Sequence, residues 1–401
     1  MTPPATPATP WLLPEGVAVG ASERDLGVYL HVPFCSVRCG YCDFNTYTAT
    51  ELGGGASQAS YATTAIGEIA LADAALRDAG LPAREVSTVF LGGGTPTLLP
   101  AHELARMLAA VADTWGLADG AEVTTEANPD SVTAPDLAAL AAAGFTRVSF
   151  GMQSAVPEVL ATLDRTHDPA RVPDVVRWAR DAGLAVSLDV IYGTPGESED
   201  QWRRSIDAVL ALEPDHISAY ALVVEAGTKM AARVRRGELP MPDGDDEATK
   251  YELAATVFDA AGYGWYEISN FARRPQDRCR HNIAYWRSHD WWGIGPGAHS
   301  HLGGYRWWNV KHPRPYADRI AAGTLPLADG EHLTPAQRED ERILLGIRLA
   351  EGLDVGAHLV GRLPGLVSDG LLQAAPARDG VALLTLRGRL LADTVVVRLT
   401  D

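Results

Sequence analysis

Three cysteines, Cys35, Cys39 and Cys42, stand in a C-x3-C-x2-C spacing within HVPFCSVRCGYCDF. A loop of that length wraps three thiolates around one metal cluster. Three thiolates satisfy three irons of a 4Fe–4S cube and leave the fourth iron without a protein ligand, whereas electron-transfer ferredoxins supply four. The open iron is then free to bind a small molecule. A zinc site needs a fourth ligand, which His31 or Asp43 would have to supply, and the x3/x2 triplet is an unusual zinc spacing. Three unrelated structural thiols are the plainer alternative. The remaining cysteine, Cys279, lies far away, so the chain has no disulfide framework of the secreted kind and its thiols are expected in a reducing cytosol.

Further candidates follow in chain order. VFLGGGTPTLLP carries Gly92, Gly93 and Gly94 before Thr95, and glycines there permit unusual dihedrals and close backbone approach to a ligand. Glu126 ends TTEA, Gln153 follows SFGM, Arg165 sits in TLDRTH and Asp189 in LDVIYG. Each has an ordinary reading as well: a tight turn, a helix cap, a surface charge or a side chain satisfying loop backbone.

The elements that must position these residues read as βα units. Apolar, β-branched runs at 28–33, 86–92, 121–127, 146–152, 185–193 and 216–224 alternate with Ala/Leu-rich amphipathic stretches such as ELARMLAAVADTW. Right-handed crossovers curl such units into a barrel, and six strands are two short of closure. The expected fold is α/β, a partial (β/α)6 barrel with a C-terminal α+β region. Residues 1–25, rich in Pro, Ala and Thr, are expected to be a disordered leader and 26–230 the barrel. An aromatic-rich stretch at 231–330, dense from Tyr263 to Trp308, is expected to cover the open side. The remainder, 331–401, reads helix, helix, small hairpin and a final helix or strand, a winged-helix-like order. The candidate site residues fall at or near the C-terminal ends of the barrel strands.

The cysteine spacing, with Tyr41 before the last cysteine, resembles the radical SAM (S-adenosylmethionine) superfamily, and the likeness continues through the barrel. TTEANPD, SFGMQS, TLDRTH and LDVIYGTPGE are similar to segments of its anaerobic coproporphyrinogen III oxidase-like family. The resemblance implies a 4Fe–4S cluster on the three cysteines whose open iron chelates SAM. It also implies that Tyr29, Gly93, Gly94, Thr95, Glu126, Gln153, Arg165 and Asp189 bind SAM. The oxidases of that family read C-x3-C-x2-C-x-C, and Phe44 stands here where the fourth cysteine would be. RHNIAYWRSHDWW instead resembles the HNxxYW signature of the family's HemW branch, the haem chaperones, through His281, Asn282, Tyr285 and Trp286.

An imidazole ligates haem iron well and flat aromatics pack on a porphyrin, so His281 among tryptophans is a sensible haem ligand, with Cys279 as a second. The bland reading makes the aromatics a packing lid and leaves His281, His289, His299 and His301 satisfied by local hydrogen bonds. The resemblance implies haem, apo-haemoproteins (membrane-bound respiratory ones included) and an electron donor as partners, with a homodimer allowed. The oxidase converting coproporphyrinogen III to protoporphyrinogen IX is the second reading, and a winged-helix regulator using its cluster as a redox sensor the third.

Composition narrows these. A formal charge of −17 repels phosphate backbones and anionic lipid, so nucleic acid is not an expected partner. The start MTPPATPATPWLLPEG lacks the basic and apolar regions of a signal peptide, and no apolar run reaches the roughly 20 residues of a membrane span. The expected location is the cytoplasm, including its membrane periphery.

Overall fold

The computed structural model describes residues 13–14, 16–52 and 57–400. Six parallel strands, β1 (Leu26–Val32), β2 (Val86–Gly93), β3 (Leu117–Ala127), β4 (Arg147–Gln153), β5 (Ala185–Tyr192) and β6 (His216–Ala221), pair in sequence order. Between and after them come α1 (Gln58–Asp78), α2 (Ala101–Trp115), α3 (Ala134–Ala142), α4 (Pro157–Thr162), α5 (Val172–Asp181), α6 (Glu199–Ala211) and α7 (Lys229–Arg235). The helices start where the sequence supplies caps: Thr133 with Asp136, and Ser198 with Gln201, form reciprocal capping boxes.

The strands have two chemically distinct faces. Val28, Leu30, Val89, Leu91, Val123, Val148, Phe150, Val186, Leu188 and Ile217 point outward and are buried beneath the helices. The alternate positions are mostly polar: Thr88, Glu122, Thr124, Glu126, Arg147, Ser149, Ser187, Asp189, His216 and Ser218. Cross-strand register lines these up around the interior, with Thr88 beside Glu122, Thr124 beside Arg147, Glu126 beside Ser149 and Ser187 beside His216. A closed eight-stranded barrel packs its interior with apolar side chains; this interior is instead built around a cavity.

The sheet grows at both edges to twelve strands. After α8 (Gly244–Ala260), β7 (Gly264–Glu267) and β8 (Asn270–Ala272) form an antiparallel hairpin on β6. Then α9 (Arg280–Trp286) leads into β9 (Asp290–Ile294), parallel to β1. Beyond it β10 (His299–Leu302), β11 (Tyr305–Asn309) and β12 (Leu327–His332), with α10 (Pro313–Ala321) between the last two, complete an antiparallel meander. The aromatic-rich region thus does not lie over the barrel as one cover. It pairs both open edges, whose free N–H and C=O groups need partners, and places α9 against the N-terminal ends of the strands.

The expected leader also differs. Its first twelve residues lie outside the described ones, but Leu13, Val17 and Ala21 are buried against the sheet. Arg24 pairs with the fully buried Asp290 at 2.8 Å, and Arg84 reaches the same carboxylate at 2.7 Å.

At the other terminus, α11 (Pro335–Gly346), β13 (Leu353–Asp354), α12 (Leu363–Ser368), α13 (Ala374–Arg378), β14 (Val381–Ala382), α14 (Leu386–Leu390) and α15 (Ala392–Thr400) enclose a separate apolar cluster. The hairpin expected from VALLTLRGRL is absent: β14 pairs with β13 instead, and the chain ends in two helices.

Candidate functional site

The cysteine loop leaves β1 at the C-terminal mouth of the barrel. The Cys35 amide donates to the Tyr47 carbonyl (3.0 Å) and the Tyr47 amide to that of Pro33 (2.7 Å), closing the loop at its base. Within it, Cys42 donates to the Cys39 carbonyl in a tight turn (3.2 Å). The loop is also clamped from outside, since Gly40 donates to the carbonyl of Leu163 (3.1 Å) and accepts from the amide of Met230 (2.7 Å). All three thiols are free and half-buried, and all face one cavity of about 420 Å3. Burial pushes the Cys35 thiol up to about 11 as it stands, with Cys42 and Cys39 adding repulsion.

Among the described residues no three His, Cys, Asp or Glu side chains converge tightly enough to hold one metal ion. A zinc site would draw its sulfurs to about 2.3 Å from a single centre. Three neighbouring thiols on the wall of one cavity fit a cube in which each would bind its own iron.

The same cavity is lined by Gly93, Gly94, Thr95, Glu126, Gln153, Arg165 and Asp189. Gly93 is left-handed (φ 107°) and donates its amide to Glu126 Oε2 at 3.0 Å. A Cβ on Gly94 would run into the Phe34 carbonyl, so only glycine lets the second strand pass so close to the cysteine loop. Arg165 Nη2 donates to the Gly151 carbonyl (2.8 Å), and Nη1 lies 3.6 Å from Cys39 Sγ. Both Asp189 oxygens accept from Ser149 Oγ at 3.0 Å. Burial raises Glu126 to about 7, with the Asp189 charge adding, and burial raises Asp189 to about 6 against stabilising hydroxyls from Ser218, Ser149 and Ser187. Thr124 Oγ1 and Arg165 Nε are buried at this wall without protein partners. Unpaired buried polar atoms around a cavity are what a polar ligand would satisfy, so the donor set fits SAM.

Two expected residues stand elsewhere. Tyr29 is half-buried, its hydroxyl against His31 Nδ1 at 3.1 Å and its ring stacked on Phe90, and it is not among the residues that line the cavity. His281, on α9, is 2% exposed. Its Nδ1 pairs with Thr88 Oγ1 (2.8 Å) and its Nε2 with the Tyr285 hydroxyl (2.8 Å), while its ring stacks on Phe90. Burial lowers its pKa to about 3, so the ring is neutral. As placed, neither nitrogen is free for iron. The rest of the HNxxYW segment behaves likewise, because Asn282 and Trp286 both hydrogen-bond Glu267, which burial raises to about 8. Glu122 accepts from the amides of Arg280 (3.0 Å) and His281 (3.1 Å) at the start of α9 and from the Cys279 thiol (3.5 Å). The segment forms the floor of the barrel, and Cys279 and Asn282 are the deep end of the cavity.

Several cavity residues were not among the expected ones: Phe90, Thr124, Asn128, Arg147, Ser149, His216 and Ser218. Their signal was present as polar residues at every second position of RVSFG and HISAY. Parallel strands covered on both faces ordinarily read as continuous apolar runs, so that alternation marks a polar interior.

Residues 29–209 match the family model described as Radical SAM superfamily. The chain is 51% identical over 377 residues to a protein of Mycobacterium tuberculosis named Heme chaperone HemW, covering 93% of this chain and 94% of that one. It is 32% identical over 380 residues to the Heme chaperone HemW of Bacillus subtilis, covering 92% and 97%. The coproporphyrinogen III oxidase (HemN) of Escherichia coli, described as a radical SAM enzyme, has a similar structure, with a TM-score of 0.80 at 22% identity over 96% of this chain and 92% of that one. That likeness bears out the partial-barrel fold.

Proposed function

We propose, from the premise that this chain belongs to the radical SAM superfamily and to its HemW family, that it binds haem and transfers it to apo-haemoproteins. The observation that carries this is the 51% identity to a haem chaperone along nearly the full length of both chains. The radical SAM family implies a 4Fe–4S cluster and SAM, and Cys35, Cys39 and Cys42 are the thiols that would hold the cluster.

When bound and reduced, such a cluster supplies the electron that cleaves the SAM sulfonium. The chain's own residues have simpler tasks. Arg165 sets a positive charge beside the Cys39 sulfur. Gly93 and Gly94 would bring backbone polar groups to the ligand, and Glu126, Gln153 and Asp189, which line the same cavity, would receive its ammonium and hydroxyl groups.

Phe44, where an oxidase of the family carries a fourth cysteine, speaks against coproporphyrinogen oxidation. The test pairs an anaerobic haemin titration of the cluster-loaded chain with an assay on coproporphyrinogen III, SAM and a strong reductant. Saturable haem binding without protoporphyrinogen IX is expected; product with only nonspecific haem uptake would make the chain an oxidase. Membrane-bound clients, an electron donor and a homodimer belong to the same proposal. No helix among the described residues is long and apolar enough to cross a membrane.

A further inference from the structure

Cargo that is handed on must be reachable by its acceptor. His281 does not meet that condition: it lies at the barrel floor, 2% exposed, with both ring nitrogens engaged. An exposed apolar surface is therefore the place to look for haem.

Ten large hydrophobic side chains stand exposed among the described residues, and four of them, Val37, Phe44, Tyr220 and Val223, line the one cavity that holds the cysteines. Val37 and Phe44 flank the cysteines on the loop after β1, while Tyr220 lies on β6 and Val223 just past it. They are between 41% and 62% exposed, although hydrophobic side chains scattered singly are the norm on a surface. The cations near this mouth are neutralised: Lys229 pairs with Asp164, a cavity residue, at 2.9 Å, and Arg38 on the cysteine loop lies 3.6 Å from Glu51, so what the rim offers is apolar contact.

We infer that haem docks at this mouth, its apolar macrocycle against Val37, Phe44, Tyr220 and Val223, and its propionates turned outward to solvent. This rests on the haem-transfer reading and gives that reading its place on the surface. Phe44 then has a task of its own: the position that carries a fourth cysteine in the family's oxidases here offers a flat apolar contact. The HNxxYW segment holds the floor of the cavity rather than the iron.

The test is an anaerobic haemin titration of the full, cluster-loaded chain, read at the Soret band. Compared are the wild type, the double variant Phe44→Ser/Val223→Ser, the remote control Val397→Ser, and His281→Ala. The inference predicts that the double variant raises the haemin Kd at least about tenfold while its iron–sulfur absorption and iron content are retained, and that Val397→Ser and His281→Ala bind as the wild type does. A double variant that binds haemin as tightly as the wild type overturns it. So does one that binds normally but delivers haem more slowly to an apo-haemoprotein, which would assign the rim to the client. Absence of saturable haemin binding by the wild type would instead overturn the haem-transfer reading itself.

Discussion

Arg165 joins the two halves of the site, with one guanidinium nitrogen beside Cys39 Sγ and another on the Gly151 carbonyl of β4. The thiol that it faces is the most informative to remove. Cys39→Ala should abolish the iron–sulfur absorption and SAM cleavage while far-ultraviolet circular dichroism stays that of the wild type, because no core side chain is lost; a retained cluster would remove Cys39 from the ligand set. At the floor, His281→Ala strands the hydroxyls of Thr88 and Tyr285 in a buried environment and leaves a void against Phe90. Unsatisfied buried groups and cavities of this kind cost about 2–4 kcal/mol together, to be read as a lower denaturant midpoint with the iron–sulfur spectrum unchanged. A loss within about 0.5 kcal/mol, the range of ordinary surface substitutions, would contradict the floor role. The sequence makes His281 conspicuous as a histidine among tryptophans, but one-dimensional spacing cannot show that its partners are Thr88, 193 residues earlier, and Tyr285.

The loop between β9 and β10 is held to α1 by one buried carboxylate: Glu68 accepts from the Gly295 amide (2.7 Å), Asn309 Nδ2 (2.7 Å) and the Tyr316 hydroxyl (2.6 Å). Burial raises this acid to about 7 against those donors. A carboxyl with a raised folded pKa contributes fully below its unfolded value and loses that contribution as pH rises through the folded one. Glu126, Glu197, Glu267 and Asp189 are raised as well and act in the same sense. The buried histidines His281, His167 and His216 are lowered, so their contribution is full above the unfolded value of 6.5 and is lost as pH falls toward the folded ones. Just above pH 6.5 the histidines still oppose the acids, since an unfolded imidazole is half protonated there, but they are common to wild type and variant. The contribution of Glu68 itself falls from pH 6.5 to 8, so the wild type should lose on the order of 1 kcal/mol of unfolding free energy relative to Glu68→Gln over that range; parallel profiles would contradict it. At this scale the sequence was most readable. All six barrel strands lie within a few residues of their expected places, because β-branched runs and helical stretches alternate cleanly. The aromatic segment was not readable in the same way, since nothing local says that Tyr263–Ala272 pairs with β6 while Asp290–Ile294 pairs with β1 on the opposite edge. The C-terminal hairpin failed for a related reason: Val381 and Ala382 find their partner in Leu353 and Asp354, almost thirty residues away.

Among the described residues of this acidic chain, the barrel strands surround a cavity with the cysteines at one end and Cys279 and Asn282 of the α9 segment at the other. Its charge of −17 makes an interaction of the whole chain with nucleic acid unfavourable; the full chain should show no salt-dependent binding to duplex DNA, and a saturable, salt-sensitive curve would reopen the regulator reading. Fold alone does not separate a haem carrier from an oxidase, as the TM-score of 0.80 with coproporphyrinogen III oxidase makes plain. The residues that the resemblance offers to separate them are few: Phe44 after the cysteines and the HNxxYW segment at the floor. Whether haem is held for transfer is thus the decisive property. The direct measurement loads the cluster-bearing chain with one equivalent of haemin under anaerobic conditions, adds apomyoglobin as acceptor, and follows the Soret shift with and without SAM. Haem passing to the acceptor faster than free haemin dissociates from an unrelated binding protein is the predicted result; haem that stays bound, or formation of protoporphyrinogen IX from coproporphyrinogen III by the same preparation, would contradict the account.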